Sequence, residues 1–131
     1  MIKWQEAYST GIAKLDNQHK NLFQYSNDLE DGINNGQISR NVVDLALKFL
    51  ERYIKGHFSS EESCMYQYAC PMADTNKLAH QEFINTYKKF QKKVLNNDDH
   101  ESALRELHQF LQSWLTRHIC NIDTKLKTCA H

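Results

Sequence analysis

Apolar residues recur at alternating spacings of three and four in four separate blocks of this chain. That recurrence is the periodicity of amphipathic helices and not of strands, whose apolar positions would alternate. Only four glycines and one proline punctuate the 131 residues, as expected where the helices are long. The first block runs from about 16 to 34, with Leu15, His19, Leu22, Ser26, Leu29 and Ile33 on one line. The second, about 41 to 68, aligns Val43, Leu47, Leu50, Ile54, His57, Glu61 and Cys64. The third, about 74 to 95, aligns Asn76, His80, Phe83, Tyr87, Phe90 and Val94; the fourth, about 99 to 127, aligns Leu104, Leu111, Leu115, His118 and Ile122.

Turn-forming residues separate the blocks. Asn34, Asn35 and Gly36 make the first joint, Pro71 marks the second, and the run from Asn96 to Asp99 makes the third, where Asp98 and Glu101 have the spacing of a capping box. Joints this short make successive helices antiparallel neighbours. The expected fold is all-α: one domain over 1–131, an antiparallel up-down-up-down four-helix bundle preceded by an N-terminal extended arm.

Each predicted helix places a polar residue of metal-ligand type in its own apolar seam. These are His19; His57 with Glu61; Asn76 with His80; and His118. A buried polar side chain left unpaired costs roughly 1–3 kcal/mol, so six of them call for a shared explanation. His19, Asn76 and His80 lie near the starts of their helices, and His57 and His118 near the ends of theirs. An antiparallel bundle brings all of these to one end. His57/Glu61 and Asn76/His80 are i, i+4 pairs, about 40° apart around a helix, so both members of each pair can reach one site.

Asp123 follows His118 by five residues, about 140° of regular helix, and spacing alone reads it as a solvated carboxylate unless the helix is locally irregular. Imidazole and carboxylate without cysteine argue against a zinc–thiolate site or an iron–sulfur cluster. Two carboxylates among four histidines suit two metals better than one, because carboxylates bridge adjacent cations in bundle cores. From the residues alone, the site is binuclear with N/O donors and the metal is open.

The same residues fall in five blocks that resemble the hemerythrin and bacteriohemerythrin family: Trp4–Ile12 (WQEAYSTGI), Leu15–His19 (LDNQH) followed by Leu22 and Phe23, His57–Glu62 (HFSSEE) with Met65, Asn76–Phe83 (NKLAHQEF), and Trp114–Asp123 (WLTRHICNID). The resemblance implies two iron ions bridged by Glu61, Asp123 and an oxo or hydroxo group. His19 and His57 would bind one iron. His80 and His118 would bind the other, with Asn76 standing where the family pattern has a third histidine, as a weak or water-substituted ligand. Phe58, Trp114, Leu115 and Ile119 resemble the wall of the family's oxygen pocket, and ordinary core packing is a compatible role for them.

The function this implies is binding of dioxygen as carrier, store or sensor, without enzymatic turnover. The alternative is an oxidative, peroxide- or nitric-oxide-handling activity at a site with extra open coordination, and a third reading is a remnant that binds one metal or none. Sixteen basic and sixteen acidic residues cancel, which argues against nucleic acid or an anionic membrane as partner. No run reads as an export signal or a membrane span, so the chain is expected to be cytoplasmic and monomeric. Four cysteines, Cys64, Cys70, Cys120 and Cys129, could pair in three ways, and are expected to stay reduced and serve as packing. Tyr66, Tyr68 and Met65 are expected to be packing residues. His100 reads as a helix-start surface residue, and His108, about 15 Å along the helix from His118, is given no metal role.

Overall fold

The four expected lines fold as four helical legs in a computed structural model that describes residues 2–96, 99–119 and 125–129. The first leg is α1 (Ala13–Asn34), which buries all six residues of its predicted seam. It starts three residues earlier than the seam suggested. Asp16 lies in its first turn and ties down the arm, accepting from the Thr10 N–H at 2.7 Å and the Thr10 hydroxyl at 2.8 Å. A carboxylate there also faces the positive end of the helix dipole. The arm, extended apart from a 3₁₀ turn at Glu6–Tyr8, packs Trp4 and Tyr8 on Phe23.

The second leg is one continuous helix in three parts: α2 (Arg40–Tyr53), a π turn at Ile54–Phe58, and α3 (Ser59–Gln67). Ser39 caps it by accepting from the Val42 N–H. Ala46, Tyr53 and Met65 are buried where the sequence pattern favoured Leu47, Ile54 and Cys64, which are only half-buried. The third leg is α4 (Ala73–Asn96). The fourth is α5 (His100–Trp114), continued by a second π turn at Leu115–Ile119, and a short α6 (Leu126–Cys129) follows. Asp99 caps α5 by accepting from the Ser102 N–H at 3.1 Å, taking the role expected of Asp98, which lies outside the described residues. His100 opens α5.

Two legs end alike. After α1 the Gln37 N–H reaches back to the Gly32 carbonyl and the Gly36 N–H to Ile33; after α3 the Cys70 N–H reaches Met65 and the Ala69 N–H reaches Tyr66. This is the Schellman arrangement, which requires one residue in the left-handed region. Gly36 fills it at φ 74°, but Ala69 fills it at φ 51°. Pro71 follows, where a helix cannot resume.

Packing of α1 on α5, α3 on α4, and α4 on α5 closes the bundle, and the short joints make the legs antiparallel. A main core runs through all four legs, and a smaller cluster of Leu15, Met65, Cys70, Ala73 and Leu126 closes one end. No described helix is long and apolar enough to cross a membrane.

Three expectations about the smaller cluster's neighbourhood need correction. Cys70 and Cys129 form a disulfide, with Cα atoms 5.6 Å apart, and are not a reduced pair; Cys64 is free and half-buried. The Schellman corner turns Cys70 toward α6, a juxtaposition that no local spacing could announce. Cys120 lies outside the described residues. Tyr66 and Tyr68 are 49 % and 37 % exposed and do not pack in the core, whereas Met65, expected there with them, is fully buried and takes the interior place on that turn. Tyr66 instead donates its hydroxyl proton to Asp74 at 2.8 Å.

Candidate metal centre

His19, His57, Glu61, Asn76, His80 and His118 are all buried at the same end of the bundle. Leu15, Met65 and Ala73, each about one turn from a site residue on its own leg, underlie them. Both π turns contain a site histidine, His57 in the first and His118 in the second. Such turns add a residue to the helix circuit and re-aim its side chains, and they are frequent at functional sites.

Glu61 is the centre of the arrangement. Its Oε2 faces His19 Nε2 at 3.0 Å and His57 Nε2 at 3.3 Å; its Oε1 faces His80 Nε2 at 3.0 Å and His118 Nε2 at 3.9 Å. The five residues therefore form two clusters, His19–His57–Glu61 and Glu61–His80–His118, that share one carboxylate, each compact enough for a metal ion. Burial alone would raise the Glu61 carboxyl, but where the imidazoles of His118, His19, His57 and His80 donate to it, with no cation between, they outweigh burial and hold the group well below the usual carboxylate range.

The outer nitrogens explain why the inner ones point as they do. His80 Nδ1–H donates to Glu62 Oε2 at 2.9 Å, and His57 Nδ1–H donates to Gln18 Oε1 at 2.6 Å. A neutral imidazole that donates through Nδ1 presents the lone pair of Nε2 inward. Lone pairs aimed at carboxylate oxygens repel unless a cation stands between them. Protonating every ring instead would crowd cationic imidazoles together out of water, which desolvation opposes. Metal cations held by neutral imidazoles and a bridging carboxylate satisfy all of these atoms, so the donor set fits a pair of metal ions.

Flat aromatic rings hold three of the imidazoles. Phe58 stacks on His80 at 3.9 Å between centroids, Trp114 on His118 at 3.9 Å, and Tyr53 on His57 at 4.8 Å. Phe58, Trp114, Leu115 and Ile119, the expected pocket wall, are all buried. Asn76, one turn before His80 on α4, is 0 % exposed, and neither its amide nitrogen nor its oxygen has a hydrogen-bond partner among the described residues. Asp123 lies outside the described residues. His108 is remote from the site and faces Glu30 at 3.9 Å. Sequence reasoning passed over Gln18, Glu62 and Tyr53. Their one signal was adjacency to ligand-type residues: Gln18 before His19, Glu62 after Glu61, and Tyr53 one turn before His57.

Comparison with known proteins agrees with this geometry. The family model described as "Hemerythrin HHE cation binding domain" matches residues 10–130. A bacteriohemerythrin of Clostridium acetobutylicum is 28% identical over 126 residues, covering 94% of this chain and 96% of that protein. A myohemerythrin of Theromyzon tessulatum is 28% identical over 125 residues, covering 95% of this chain and 90% of its own length. A bacteriohemerythrin of Pseudomonas aeruginosa is 28% identical over 122 residues, covering 93% and 76%. The match spans every leg that contributes to the two clusters around Glu61, and the chain accordingly belongs to the hemerythrin family, whose cofactor is a pair of iron ions.

Proposed function

We propose that this chain binds dioxygen, as carrier, store or sensor, at two iron ions held by His19 and His57 on one side and His80 and His118 on the other, with Glu61 as bridge. Asp123 is the second bridging carboxylate in this reading, and Asn76 is a weak or water-substituted ligand. The single observation that carries it is the division of Glu61, one oxygen facing each pair of imidazoles. Reversible two-electron exchange with dioxygen is the chemistry such a pair supplies when bound.

The chain's own residues have three tasks. Gln18 and Glu62 fix the ring orientation of His57 and His80 through their outer nitrogens. Tyr53, Phe58 and Trp114 fix ring tilt by stacking. Phe58, Trp114, Leu115 and Ile119 exclude water, which keeps the local dielectric low and protects a bound ligand from proton-assisted loss.

The test is a metal count with an optical spectrum of air-exposed protein. Two irons per chain with near-ultraviolet charge-transfer bands, reversed by removing oxygen from the reduced protein, is the expected result. Zinc, or a single metal, would overturn the reading. A second reading, oxidative or peroxide- and nitric-oxide-handling activity, is favoured by Asn76, since a neutral amide in place of imidazole leaves more open coordination. Steady peroxide consumption that falls in Asn76→His would select it.

A further inference from the structure

We infer that the His80–His118 half of the site takes a small monoanion of its own, with the Asn76 amide N–H as its hydrogen-bond donor; this rests on the two-iron reading above. The two halves are alike in described donors, each having two imidazoles and one oxygen of Glu61. Three N/O donors do not complete the shell of a six-coordinate cation, so neither half is closed by the protein groups described. What distinguishes the second half is Asn76.

Asn76 stands one turn before His80 on the same buried face of α4, out of contact with solvent. Its amide carries a donor end and an acceptor end, and both lack a partner among the described residues. The two ends have different options. The Oδ1 lone pairs can face a cation, but the Nδ2 group can only donate, so metal binding through oxygen still leaves the N–H atoms unsatisfied. A buried donor without an acceptor is costly, and an anion is the acceptor that gains most from it. An imidazole ligand at this position would fill the coordination place and offer no such donor to a neighbouring ligand. The chemistry that meets both needs is a small anion with exposed lone pairs, such as azide or fluoride, bound at the open metal position and hydrogen-bonded by Asn76.

The experiment is an azide titration, by calorimetry and optical spectrum, of the full chain after its iron content has been counted. The native chain is expected to bind two azides per iron pair. Asn76→Leu, close in size but without the donor, should weaken one of the two by about tenfold or more, and Asn76→His should bind one. A single azide per iron pair in the native chain, or two azides held equally well by native and Asn76→Leu, would overturn the inference while leaving the two-iron reading intact. Fewer than two irons in the native chain would overturn that reading and this inference with it. If Asn76→Leu fails to retain iron, the comparison of native with Asn76→His decides alone.

Discussion

Phe58 lies flat on His80, with ring centroids 3.9 Å apart and planes 4° from parallel. The contact joins the second leg to the third at the site itself, and Phe58 also meets Phe83 and Trp114. Phe58→Ala should therefore cost about 3–5 kcal/mol of stability, the range for a buried phenylalanine. Phe58→Leu, which keeps much of the volume but not the flat ring, should cost less. Urea unfolding of both variants checks this, and their iron content should fall in the same order.

Glu62 holds the other edge of His80. Glu62→Ala should leave the fold intact, since the side chain is a quarter exposed, while metal retention falls about 10–100-fold, the usual range for the loss of such an orienting partner. Competition with a chelator measures it. Unchanged retention would mean that stacking by Phe58 alone positions the ring.

The Cys70–Cys129 bond closes a loop of 59 residues' separation. Chain-entropy reasoning assigns a loop of that length about 4 kcal/mol, an upper figure for the loss expected on reduction or in Cys129→Ser. Peptide mapping without reductant should recover the linked pair, and denaturation with and without reductant should show the loss.

Ala69 occupies a left-handed position that Gly36 fills at the equivalent corner of α1. Ala69→Gly should stabilise the protein by about 0.5–1 kcal/mol, as strain at a side-chain-bearing residue is relieved and only part of the gain is offset by the freer unfolded chain. A rise in thermal midpoint checks the sign.

Two groups away from the site bound the pH range of full stability. Burial lowers the His108 imidazole, partly offset by Glu30, so the fold favours its neutral form; stability is full above about 6.5 and falls as pH drops from there through the lowered value. Burial pushes the Tyr25 hydroxyl up to about 12, so stability is full below about 10 and falls as pH rises from there toward 12. Unfolding midpoints across pH should lose part of the acid-side dependence, the part that begins near 6.5, in His108→Gln and part of the alkaline dependence in Tyr25→Phe.

How far these features could be read from the sequence varies by leg. The seam of α1 folds as spaced, because an uninterrupted helix keeps its period. The second leg keeps its expected line at Val43, Leu50, His57 and Glu61 and buries Met65 as expected, but Tyr53 takes the interior place beside Ile54, and Tyr66 and Tyr68, beyond the π turn, face outward, since period counting assumes a constant number of residues per turn. His19, His57, Glu61, Asn76, His80 and His118 were legible as polar residues in apolar lines. Gln18 and Glu62 were not, since an outer partner of a histidine shows no periodicity of its own. The Cys70–Cys129 bond is a long-range event, set by where two legs end and not by any local pattern.

The π turns at Ile54–Phe58 and Leu115–Ile119 also act as frameshifts in three dimensions. Each lets one leg present two different faces to the same interior, one before the turn and one after. A single-residue deletion inside either would take out the extra residue and let an ordinary helix run through with little change of facing beyond it, whereas a deletion in the regular helix beside it would rotate everything beyond by about 100°. In the second leg that rotation would carry Glu61, the carboxylate that both clusters share among the described residues, out of the interior, leaving the apolar core above it largely as it was. Each turn is thus the place where its leg can give by one residue without turning its histidine and the residues beyond away from the site.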